Sequence, residues 1–153
     1  MKKNLGRNLL VGLAAALLIA QLVPYPPAEN PPVGDEVPAP ANVRAVLRTS
    51  CYDCHSNETV WPWYSSVIPG KWFVRGHVVE GRGKLNFSTW GEYPADRAAR
   101  KLEEVVEMVE DGKMPPSSYL WIHGDANLSP EDAASIVEWA RSLGGVEEPG
   151  EGA

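Results

Sequence analysis

Cysteine is nearly absent from this chain: of 153 residues, only Cys51 and Cys54 carry a thiol. A structural zinc site takes four ligands, commonly two C-x-x-C pairs or one pair with two histidines. There is no second pair, and His55, His77 and His123 lack finger-like spacing. A thioredoxin-like redox centre needs a βαβ context, and no βαβ pattern is visible. No basic patch suggests nucleic acid. No cysteine follows the N-terminal apolar run, which excludes lipid attachment there. No acid–base pair or activated nucleophile stands out either. What distinctive chemistry the chain has is concentrated in one cluster.

That cluster is Cys51-Tyr52-Asp53-Cys54-His55, the C-x-x-C-H spacing of c-type haem attachment. Two thiols one turn apart can add to the two vinyl groups of one porphyrin as thioethers. The next residue then lies under the ring, where an imidazole nitrogen can bind the iron. A plain disulfide suits an exported protein, but it leaves His55 unexplained. The motif predicts one covalently bound haem c, anchored by Cys51 and Cys54, with His55 as proximal ligand.

Residues 1–23 read as a signal anchor or signal peptide. Lys2, Lys3 and Arg7 precede an apolar run from Leu9 to Val23, a basic segment followed by a hydrophobic one. Those 15 residues reach about 22 Å as a helix, short of the roughly 30 Å hydrocarbon core. Counting from Leu5 nearly spans it. The only A-x-A triplet in the N-terminal segment, Ala14–Ala16, falls inside the run, which favours a retained anchor over a cleaved signal. The positive flank places the following domain on the periplasmic or other extracytoplasmic face. Beyond Val23 the chain holds 11 basic and 20 acidic side chains, a formal −9. A protein partner would therefore present a basic face.

Residues 24–41 hold seven of the fourteen prolines. They read as an extended linker that packs no core and holds the domain off the membrane. The haem domain is expected over 42–145, with a flexible tail at 146–153. Asn42 is a candidate N-cap for a helix whose Val43, Val46 and Leu47 form one stripe. Trp61 and Trp63, close to the motif, are candidate walls for the haem face. Trp72 to Gly81 suggests a short helix ended by Gly81-Arg82-Gly83, and Leu85 to Trp90 a loop or strand. Ala98, Leu102, Val105, Val106 and Val109 line one face of a helix over 95–111, stopped by Gly112. Ser129 as N-cap, Pro130 at N1 and two acids open the last helix. Arg75 and Arg82 are candidate partners for haem propionates.

Met114, followed by Pro115 and Pro116, resembles the sixth-ligand loop of class I cytochromes c. A thioether there would saturate the iron and raise its potential. His77 is the alternative distal ligand, His123 a weaker one, and an open sixth position is a further option. Residues 43–50 and 130–143 are similar to the helix pair that clamps the haem edge in class I cytochromes c. The whole stretch from about 30 to 143 resembles the haem-binding domain family of bacterial exported proteins. The resemblance runs through Asn30-Pro31-Pro32, Cys51 to Asn57, Trp61 to Ser65, His77 to Arg82, Leu85 to Ser88, and Met114 to Pro116 with Tyr119 and His123. It implies an all-α, cytochrome c-like fold around a single haem. The expected role is one-electron transfer; the alternative is gas sensing or peroxidase-like chemistry at a labile sixth site.

Overall fold

A computed structural model describes residues 2–26 and 28–145, so the expected tail at 146–153 lies outside the described residues. Seven α-helices run through them, with no strand: α1 (Lys2–Gln21), α2 (Ala41–Ser50), α3 (Tyr52–His55), α4 (Gly70–Lys84), α5 (Ala95–Glu110), α6 (Ser117–Leu120) and α7 (Pro130–Gly144). The all-α expectation holds. In α1, the segment Asn4–Gln21 is long and apolar enough to cross a membrane, and none of it is buried.

The two strongest helix signals behave as their chemistry dictates. The Ser129 Oγ accepts from the Asp132 N–H at 3.1 Å, and the Asp132 carboxylate receives the Ser129 N–H at 3.4 Å. Pro130 fills N1, and Gly145 ends α7 in the left-handed region at φ 69°. α5 keeps its predicted face, with Leu102 buried and Val105, Val106 and Val109 packed against the core. It lies on α7, which α2 also crosses.

Other boundaries differ. The N-cap of α2 is Pro40, not Asn42: Pro40 is extended at φ −59° and ψ 157°, and its carbonyl accepts the Arg44 N–H at 2.9 Å. α4 begins at Gly70 and continues through both Gly81 and Gly83. Gly81 marks a close approach to α3 rather than a stop, because a Cβ there would lie 2.5 Å from the Cys54 carbonyl oxygen. Phe87–Glu92 forms 3-10 turns where a loop or strand was expected.

The core gathers Val43 and Leu47 of α2, Tyr52, Leu85, Phe87, Leu102, and Ile136, Trp139 and Ala140 of α7. Phe87 is its pivot. It stacks on Tyr52 at 5.6 Å and tilts against Trp139 at 6.4 Å. Burying such a ring contributes about 1.5–3 kcal/mol.

The proline-rich stretch is free of helix, as its composition requires, but it packs. Val37 is 1% exposed and belongs to the core. The N–H groups of Gly34 and Val37 donate to the carbonyls of Ser88 and Phe87, both at 2.9 Å. Glu36 accepts from the Tyr52 hydroxyl at 2.8 Å, and the Pro38 carbonyl accepts from the Trp139 indole N–H at 2.9 Å. The reading of this segment as a free tether is corrected: it is a strap across the domain.

Arg82 fastens that strap. Its guanidinium donates to the carbonyls of Ser56 and Glu29 at 2.7 and 3.0 Å, to Asn30 Oδ1 at 2.8 Å and to Thr59 Oγ1 at 2.9 Å. Arg75 is tied likewise, to the carbonyls of Ser65 and Pro26. Both guanidiniums are thus engaged within the protein. Arg82→Ala is expected to lower stability by about 2 kcal/mol, since charged hydrogen bonds to partly buried acceptors are lost. Arg82→Lys recovers little, because an ammonium cannot span four acceptors as a guanidinium fork does. Urea midpoints of the two variants check this; a fully stable lysine variant would mean the fork is dispensable.

Candidate haem site

The motif occupies a single turn. The Cys51 carbonyl accepts from the N–H groups of both Cys54, at 3.2 Å, and His55, at 3.0 Å. This brings the two thiols to the same turn, and both are free. Burial, chiefly, with a smaller push from Cys54, raises the Cys51 thiol to about 12. Burial followed by the Asp53 charge raises Cys54 to about 11, against a small opposing effect of Arg82. Neither thiol is a ready thiolate, unlike an oxidoreductase dithiol.

His55 is oriented from behind. Its Nδ1–H is shared between the carbonyl oxygens of Gly81 and Leu85, each 3.1 Å away. Two carbonyls can only accept, so Nδ1 carries the proton and Nε2 keeps its lone pair. Burial lowers the pKa of His55, and the two backbone bonds only partly offset this. A neutral imidazole with a fixed Nδ1–H is the form that binds a metal through Nε2.

The residues after His55 form a buried polar network that holds the turn. Ser56, Asn57, Thr59 and Ser88 are all buried. The Ser56 hydroxyl donates to the Tyr52 carbonyl, and the Thr59 hydroxyl donates to that of Asp53. Asn57 is bonded to Pro32, Ser88 and Asn86. Asp53 accepts from the Val60 N–H at 2.8 Å and the Tyr119 hydroxyl at 2.8 Å, tying the motif to α6. Burial, then this bond, pushes the Tyr119 hydroxyl well above its ordinary pKa.

Beside Cys54 opens an apolar cleft lined by residues of α3, α4 and α6 and of the loops that flank α3 and α6, among them Val60, Pro62, Phe73, Val78, Pro116 and Ile122. Val60, Phe73 and Ile122 are 77, 54 and 63% exposed, so its walls present apolar surface to solvent. Polar groups also reach it. The Tyr64 hydroxyl is bonded to His123 Nε2 at 3.0 Å, and the His123 ring stacks on Tyr119 at 4.3 Å. His77 donates its Nδ1–H to the Phe73 carbonyl at 2.8 Å, which leaves its Nε2 open.

The structure therefore gathers Cys54, His77 and His123 at one cleft. Cys51 and His55 lie on the same turn but do not line that cleft, and neither does Met114. Met114 is 37% exposed on the segment between α5 and α6. Trp61 is engaged elsewhere: its indole N–H donates to Asn30 Oδ1 at 3.1 Å, and Arg82 lies 5.9 Å above its ring. Trp63 is 80% exposed, edge-on to Tyr64. Asp53, Tyr119, Gly81 and Leu85 were not singled out from sequence as parts of the site. The Gly81 and Leu85 contributions are backbone carbonyls, which carry no side-chain signal.

Among the described residues no three His, Cys, Asp or Glu side chains converge on one point, so the four-ligand zinc alternative finds no set. An imidazole with a free nitrogen, two thiols and an exposed apolar wall suit a haem instead. A family model for the haem-binding domain matches residues 15–142. No curated protein and no solved structure matches the chain.

Proposed function

Because the chain belongs to the haem-binding domain family, we propose that it is an exported, membrane-tethered c-type cytochrome that carries one haem and passes single electrons. One observation carries the reading: His55, directly after the cysteine pair, holds its Nδ1–H on two carbonyls and keeps Nε2 for a metal. Bound haem supplies a ferric–ferrous couple. Cys51 and Cys54 would hold it through thioethers, and the apolar residues of the cleft beside Cys54 would cover part of its face. The Asn57–Asn86–Ser88 network fixes the turn, so His55 has little freedom to leave. The acidic domain suits a redox partner with a basic docking face.

Met114 is the first candidate for distal ligand, since it follows α5 on a segment stiffened by Pro115 and Pro116. A thioether opposite imidazole raises the potential. Met114→Ala is thus expected to lower the reduction potential and admit carbon monoxide, while His77→Ala leaves both unchanged. The reverse pattern in redox titrations of the two variants would transfer the role to His77.

The second reading, ligand sensing or peroxide chemistry, draws on the polar groups His77, Tyr64 and His123 at the apolar cleft. Ferric and ferrous optical spectra with and without carbon monoxide separate the two. The electron-transfer reading expects a low-spin haem indifferent to carbon monoxide. Ready binding, or a high-spin ferric state, would move the assignment to sensing or catalysis.

A further inference from the structure

α1 does not simply lead away from the domain; its end is bolted to it. The Gln21 side chain donates to the Ser66 carbonyl at 2.7 Å and accepts the Ile68 N–H at 3.0 Å. The buried Lys71 ammonium donates to the carbonyls of Gln21 and Val23 at 3.1 and 3.4 Å, satisfying groups that a helix end leaves open. The Tyr25 hydroxyl donates to the Trp72 carbonyl at 3.2 Å, and Arg75 donates to that of Pro26 at 2.9 Å. Around this junction Leu22, Val23, Tyr25, Trp63, Val67 and Trp72 are all exposed.

Depth follows from length. Asn4–Gln21 rises about 27 Å at 1.5 Å per residue, close to the roughly 30 Å hydrocarbon core. If α1 spans, Gln21 reaches the far boundary, and atoms bonded to it lie within the headgroup layer. Trp and Tyr favour that layer because they pair an apolar ring with a polar tip.

Resting on the reading of α1 as a retained anchor, we propose that the Trp63–Trp72 surface, with Tyr25, lies in the lipid headgroup region. The domain is then seated on the bilayer in one orientation instead of swinging on a tether. The occupant of this exposed apolar surface is lipid, because the surface is continuous with the end of the spanning helix.

The test uses the full chain in phosphatidylcholine vesicles doped with a phosphatidylcholine that bears a diazirine high on one acyl chain. Lipid adducts are mapped by mass spectrometry after illumination. Adducts are expected on α1 and on residues 63–72, and Trp63→Glu with Trp72→Glu should reduce the second set at least several-fold while leaving α1 labelled. Adducts confined to α1 would overturn the seating and leave the anchor intact. Protein–protein cross-links at 63–72 in place of lipid adducts would assign the surface to a second copy and also overturn it. An unlabelled α1, or a chain cut after it, would defeat the anchor reading itself and the seating with it.

Discussion

His55→Ala is expected to abolish the low-spin haem spectrum outright. The imidazole has no substitute on the motif turn itself: His123 Nε2 is bonded to Tyr64, and His77 belongs to α4. The loss has two parts that separate experimentally. Removing Nε2 deletes the proximal ligand, while removing Nδ1–H leaves the Gly81 and Leu85 carbonyls without their shared donor. The second costs about 1–3 kcal/mol even without haem. Added imidazole should enter the alanine cavity and restore part of the low-spin spectrum without restoring covalent stiffness. A variant with an unchanged spectrum would remove His55 from the coordination sphere and with it the c-type reading.

The motif around His55 is visible in sequence because it is contiguous, whereas the orientation of the ring is not. The Gly81 and Leu85 carbonyls come from α4 and the residue that caps it, 26 and 30 residues away, and every residue has a carbonyl. The same divide runs through the fold. Ser129 and Asp132 announce the start of α7 because a capping box is local chemistry, and the α5 stripe is a local period. The proline-rich strap misled for the opposite reason. Its prolines correctly forbid helix, but the partners that hydrogen-bond Val37, Glu36 and Pro38 lie at Phe87, Tyr52 and Trp139. Nothing within residues 24–41 could reveal them. Trp61 and Trp63 were singled out for proximity in sequence; Arg82 lies over the first ring, and the second is open to solvent.

Two glycines of α4, one turn-half apart, turn this distinction into a measurement. Both look like helix breakers, and both sit inside the helix. A Cβ on Gly83 would have nothing within 4 Å, whereas one on Gly81 would lie 2.5 Å from the Cys54 carbonyl oxygen and 3.1 Å from its carbonyl carbon and Cβ. The obstructing atoms are backbone and cannot swing aside. Gly83→Ala is therefore expected to stabilise by up to about 1 kcal/mol, as alanine replaces glycine in a helix. Gly81→Ala forces α4 off α3 and is expected to destabilise by about 1–3 kcal/mol, the usual cost of overpacking. It also carries the Gly81 carbonyl away from His55 Nδ1, so the fraction of chains holding haem should fall several-fold. Denaturant midpoints and haem-to-protein ratios read the two effects independently. If both variants behaved alike in both measurements, the close contact between α4 and the motif turn could not be what orients His55. If only Gly81→Ala lost haem while retaining stability, the glycine's role would lie in positioning the imidazole rather than in holding the two helices together.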